Sequence, residues 1–143
     1  MLKKVSSMML VMVLLMFFCQ TIAMAAQPKE NIVEPRYTHI AAINGSFDIK
    51  DGKAVCYASG RSRYADTTTM VYVTLQRRAS GTNAWAVVCS WSETAEGKET
   101  CYVKSEKKVT KGYDYRIYIK CVIKDSEGVI KEKDSMYSKV VTY

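Results

Sequence analysis

Between Gly112 and Asp125 the chain reads Tyr113-Asp114-Tyr115-Arg116-Ile117-Tyr118-Ile119-Lys120-Cys121-Val122-Ile123-Lys124. Tyr113, Tyr115, Ile117, Ile119, Cys121 and Ile123 alternate with Asp114, Arg116, Tyr118, Lys120, Val122 and Lys124. A period of two sends successive side chains to opposite faces of a strand, so one face of this segment is buried and the other wet. Asp125-Ser126-Glu127-Gly128 then reads as a turn.

The same pattern continues outward. Upstream, Thr100–Lys108 and the segment Trp85–Trp91 flank a loop around Gly97. Trp85, Val87, Cys89 and Trp91 form one face of that segment, yet Val88 opposes them, so its phase is ambiguous. Ser80-Gly81-Thr82-Asn83 turns the chain out of Met70–Arg77, where Val71, Val73 and Leu75 face in and Tyr72, Thr74 and Gln76 face out. Ala54, Cys56 and Ala58 share a face of Lys53–Gly60. Asp51-Gly52 is the strongest hairpin signal in the chain. Before it lies Tyr37–Ile49, interrupted by Asn44-Gly45, which predicts a bulge or a change of sheet. Downstream, a last strand runs from Val129 towards Tyr143. Seven strands with no helix-period segment of useful length predict an all-β antiparallel sandwich over residues 37–143.

The N-terminus reads differently. Lys3 and Lys4 precede an apolar run from Met8 to Phe18, and Ala23-Met24-Ala25 follows. These are the three parts of a secretory signal, so residues 1–25 are expected to be cleaved and the protein to be secreted to the cell exterior. Cys19 lacks the small residue before it that lipid attachment needs, since Phe18 stands there. Residues 26–36 hold both prolines and read as an extended leader. No later stretch approaches the roughly 20 apolar residues of a membrane helix, so no transmembrane segment is expected in the mature chain. Cleavage removes two lysines and no acid, which takes the formal charge from +7 to +5.

Cys56, Cys89, Cys101 and Cys121 remain after cleavage. An even count in an exported domain predicts two disulfides with three possible connectivities; four buried free thiols are the alternative. If the loop around Gly97 is a symmetric hairpin, Cys89 and Cys101 stand opposite each other on neighbouring strands, which leaves Cys56 for Cys121.

The segment from Gly112 to Cys121 resembles strand F of fibronectin type III and related immunoglobulin-like domains. Those domains carry a Tyr followed by apolar residues two, four and six positions on, as Tyr115, Ile117, Ile119 and Cys121 do here. The resemblance implies that Tyr115 is a tyrosine-corner residue, its ring inward and its hydroxyl bonded to backbone upstream. It also likens Cys56 and Cys121 to the inter-sheet pair of immunoglobulin domains. Residues 34–143 further resemble small exported proteins of Clostridia-type Gram-positive bacteria. The shared motifs are Glu34-Pro35-Arg36-Tyr37-Thr38, Gly52-Lys53-Ala54, Leu75-Gln76, a Trp pair, Gly112-Tyr113 and Tyr137-Ser138. That resemblance implies no activity.

Sites with chemistry are sparse. His39 is the only histidine and has no acidic or nucleophilic neighbour at a motif spacing. The cysteines contain no C-x₂-C pair, so no zinc site is expected. Asp48 with Asp51, and Asp125 with Glu127, read as turn chemistry rather than calcium loops. No nucleophile elbow, phosphate loop or H-E-x-x-H occurs; neither an enzyme nor a bound cofactor is expected. Basic residues cluster at Arg61 with Arg63, at Arg77-Arg78, and at Lys107-Lys108 with Lys111. With the positive charge they point to anionic cell-wall polymers, lipid headgroups or acidic glycans, and not to nucleic acid, for which no reading motif is present. Tyr57, Tyr72 and Tyr118 fall on outward faces, where aromatic rings suit sugars or a protein surface. A secreted binding module using these tyrosines and bases is expected; the alternative is a structural or effector domain acting on a protein partner.

Overall fold

The structure is a computed structural model that describes residues 37–143. The cleavage site and leader expected in residues 1–36 lie outside the described residues. Among the described residues every regular element is a strand: β1 (Ile40–Lys50), β2 (Lys53–Ser62), β3 (Thr67–Ala79), β4 (Ala86–Glu96), β5 (Thr100–Lys108), β6 (Tyr113–Asp125), β7 (Ile130–Tyr137) and β8 (Val141–Thr142). They form two antiparallel sheets, one ordered β1-β2-β5 and the other β4-β3-β6-β7, with the short β8 also paired to β6. This is an immunoglobulin/fibronectin-III-like β-sandwich. The last strand predicted from the sequence is two strands in succession on β6, broken at residues 138–140.

The core is the set of inward positions that the alternation marks. Val71, Val73 and Leu75 of β3 and Tyr115, Ile117, Ile119, Cys121 and Ile123 of β6 meet Ala54, Cys56 and Ala58 of β2, Phe47 of β1, and Cys101 and Val103 of β5. β-branched side chains dominate the larger sheet because they fit the pleat. The facing strand β2 carries alanines, cysteine and Gly60, and those small residues let the sheets approach closely.

Turn chemistry fixes the local registers. Asp51 and Gly52 both have positive φ, 50° and 75°, and Lys50 pairs with Lys53 across them, a two-residue hairpin whose twist matches that of the strands. Asp125 Oδ1 accepts from the amides of Glu127 and Val129, while Lys131 Nζ lies 2.8 Å from Oδ2, so this carboxylate is spent on the β6–β7 turn.

Two expectations are corrected and one open phase is resolved. Asn44-Gly45 neither bulges nor changes sheet: β1 runs straight through, paired with Ser59 and Ala58, and its irregularity lies between Ile40 and Ala42. Gly45 is there for space, because a Cβ on it would come 2.0 Å from Ile119 Cδ1 across the core. The ambiguous phase around Val88 is a β-bulge: Leu75 pairs with Cys89 but Gln76 pairs with Val87, leaving Val88 unpaired. The extra residue turns Val87 outward and leaves Val88, Cys89 and Trp91 packed on the core.

The second correction concerns the cysteines. The β4–β5 connection is not a hairpin within one sheet but a crossing between sheets, so Cys89 pairs across to Leu75 and Cys101 to Gly60. Cys121 Sγ packs against Gly60, four residues along β2 from Cys56, or about 13 Å at a strand's rise. Neither Cys89–Cys101 nor Cys56–Cys121 is an adjacent pair, and all four thiols are free in the structure.

Candidate aromatic and cationic surface

The outer face of the larger sheet collects the side chains that alternate with the core. Arg116 lies between two rings, its guanidinium carbon 4.0 Å from the Trp85 centroid and 4.0 Å from the Tyr137 centroid. Arg116 Nε donates to Gln76 Oε1 at 2.9 Å, which fixes the plane of the guanidinium. Tyr137 in turn stands 5.0 Å from Tyr118, ring to ring. Arg78 covers the Trp85 ring at 4.7 Å, and Lys120 Nζ lies 6.0 Å from the Tyr72 ring. Cations over aromatic faces are held by the ring quadrupole at about 0.5–1 kcal/mol each when exposed. Three strands, β3, β6 and β7, and the loop residue Trp85 thus supply one continuous ladder of flat surfaces and positive charge.

The two arginines at 77 and 78 differ. Arg78 Nε is paired with Asp114 Oδ2 at 3.1 Å. Asp114 also accepts from the Thr142 and Ser80 hydroxyls; with the Thr142 bond foremost, these contacts hold its carboxyl below the usual aspartate range. Arg116 and Lys120, by contrast, have no carboxylate within ion-pair distance among the described residues. Their charge is open to an anion. Beside them Tyr118, Lys120, Lys133, Asp134 and Ser135 line a hollow of about 270 Å³.

Of the residues that the sequence singles out, Tyr72, Tyr118 and Arg78 come together on this face. Arg77, next along the strand, turns the other way and covers Tyr113 at 4.8 Å. Tyr57 lies on the smaller sheet, near Tyr102 and 5.9 Å from Lys104 Nζ. Lys107 and Lys108 end β5 on that same sheet, opposite Ala54 and Lys53. Tyr115 is buried, and its hydroxyl donates to the Thr110 carbonyl oxygen at 2.9 Å and accepts from the Thr110 amide at 3.0 Å. Arg116, Gln76 and Tyr137 are not among the site residues that the sequence singles out. Arg116 shares the parity of Tyr118 and could have been found from it; Tyr137 could not, because its partner strand is known only from the fold.

A second concavity, about 580 Å³, separates the free edge of β1 from β7 and is bordered by Phe47, Lys50, Met136 and Tyr137 among others. His39 packs on the Tyr64 ring at 5.0 Å, and its Nδ1 is 3.0 Å from the Thr38 hydroxyl. Burial pushes the thiols of Cys56 and Cys121 up to about 12, with smaller contributions from Cys89 and Cys101 respectively. Among the described residues no group of acids, histidine and cysteines is placed to hold a metal ion, and no helix is long and apolar enough to cross a membrane.

No family model matches the chain, and no curated protein matches it. Among solved structures it is similar to the sporulation control protein Spo0M of Bacillus subtilis, with 10% identity and a TM-score of 0.41 over 72% of this chain and 50% of that one. It is also similar to a β-glucosidase of Kluyveromyces marxianus, with 11% identity and a TM-score of 0.40 over 75% of this chain and 15% of that one. The chain spans half or less of the length of these proteins.

Proposed function

We propose that the protein is an exported, non-catalytic binding module that takes anionic cell-surface polymers or acidic glycans on the outer face of its larger sheet. The observation that carries this reading is Arg116, held between the Trp85 and Tyr137 rings with no carboxylate partner among the described residues. A stacked guanidinium keeps its outer N–H groups free for phosphate or carboxylate, and the flanking rings offer apolar faces to a sugar. Lys120 and Lys133 extend the positive charge along the hollow. The net positive charge supports an anionic ligand by long-range attraction.

Co-sedimentation with Gram-positive cell walls, with and without teichoic acid and at low and high salt, tests it. Binding that requires the teichoic acid, weakens with salt and falls about ten-fold in Arg116→Ala is expected, while Lys104→Ala on the smaller sheet changes little. Absence of binding at low salt, or equal losses in the two variants, defeats the assignment.

A protein partner is the second reading, favoured by the exposed apolar side chains Val129, Ile130, Met136 and Val140 near the β7 edge. Binding to a protein through that strip is insensitive to salt and to Arg116→Ala.

A further inference from the structure

The four thiols of the sandwich sort into two layers, an arrangement hidden by their order along the chain. In one layer Gly60 of β2 stands opposite Cys101 of β5, and Val71 of β3 opposite Cys121 of β6. Gly60 leaves the space that Cys121 Sγ fills: a Cβ at residue 60 would come 2.8 Å from the sulfur. Directly opposed residues keep their Cβ positions about 4.5–5.5 Å apart, so Cys101 projects into the core immediately beside the point that the Cys121 sulfur touches.

The alignment of the sheets then places the other two. Gly45, paired with Ala58, meets Ile119 across the core, just as Gly60 meets Cys121. β2 and β6 therefore run in step, and two residues further Cys56 stands level with Ile117. Ile117 pairs with Leu75, and Leu75 pairs with Cys89. Cys56 and Cys89 share this second layer, and across the core β2 packs mainly on β3, the strand beside Cys89. The layers are four residues, about 13 Å, apart. A disulfide spans only about 4.4–6.8 Å between Cα atoms, so no bond joins one layer to the other.

We propose that oxidative folding closes Cys101 to Cys121 and Cys56 to Cys89, each bond joining the smaller sheet to the larger. In each pair two S–H bonds are lost and one S–S bond forms. The two electrons reduce a small-molecule disulfide, which leaves as two thiols carrying the two protons. Because burial keeps the Cys56 and Cys121 thiols protonated in the folded chain, exchange occurs before the core closes.

The test is refolding of the full chain in a mixture of oxidised and reduced glutathione, followed by blocking of free thiols and tryptic digestion without reduction. Cleavage after Lys4, Lys29, Lys53, Arg61, Arg78, Lys98, Lys104, Lys120 and Lys124 puts each of the chain's five cysteines on its own peptide, with Cys19 expected free. The expected products are the Cys101 peptide linked to the Cys121 peptide and the Cys56 peptide linked to the Cys89 peptide, with a urea midpoint that drops on reduction. Any other link, or blocked thiols on either pair, overturns the proposal.

Discussion

Gly45 and Ile119 meet across the sandwich with no room between them: a Cβ on Gly45 would lie 2.0 Å from Ile119 Cδ1. Ile119 is fully buried, so its side chain cannot swing aside into solvent. Gly45→Ala is expected to cost about 1–3 kcal/mol through overpacking. Ile119→Val removes the very carbon that clashes. Gly45→Ala/Ile119→Val is therefore expected to be no less stable than Gly45→Ala alone in urea denaturation; simple additivity of the two losses would falsify this account.

Glu132 ties β7 to the start of β1. Its carboxylate accepts from the amides of Ile40 at 2.6 Å, His39 at 2.7 Å and Thr38 at 3.1 Å. Burial works to raise the pKa of this group, but the three amide donors outweigh it and hold the carboxyl below its ordinary 4.5. A depressed folded value means stability that is present above pH 4.5 and lost as the pH falls through 4.5 towards the folded value. Glu132→Gln keeps one acceptor oxygen and loses the charge, so it is expected to cost about 2 kcal/mol at neutral pH. Urea midpoints measured from about pH 7 to pH 3 should converge for the two proteins at the acid end.

Thr69 is fully buried, and its hydroxyl has no hydrogen-bond partner in the structure. An unpaired buried hydroxyl costs about 1–3 kcal/mol, and valine has nearly the same shape. Thr69→Val is expected to raise the urea midpoint. A lowered midpoint would show that the hydroxyl is bonded in solution.

The Tyr115 hydroxyl holds both backbone groups of Thr110, and the ring is buried. Tyr115→Phe keeps the ring and breaks both bonds. Thr110 is exposed, so water takes over its freed groups and the cost is expected to stay near about 1 kcal/mol. A loss of several kcal/mol in thermal unfolding would mean that the corner orders the whole β5–β6 connection.

Much of the fold can be read locally. Alternation along residues 113–124 and 71–75 names the inward side chains of β6 and β3, and all of those marked on β3 are fully buried. Asp51-Gly52 names a hairpin because its two positive φ values favour those residue types. A strand's period and a turn's dihedrals depend on neighbours within a few positions, and the sequence displays such neighbours directly.

What the tertiary structure alone decided is pairing at long range. Whether the loop at Gly97 closes a hairpin or crosses between sheets depends on which strands β4 and β5 find as neighbours, and those lie elsewhere in the chain. That choice separates Cys89 from Cys101, sets Cys121 against Gly60, and assembles Trp85, Arg116 and Tyr137 from three segments into one ladder. The alternating pattern makes each strand two-faced but carries no label for its partner. The partner is settled by how the small residues of β2 fit against the branched side chains of β3 and β6, a matter of volume across the core.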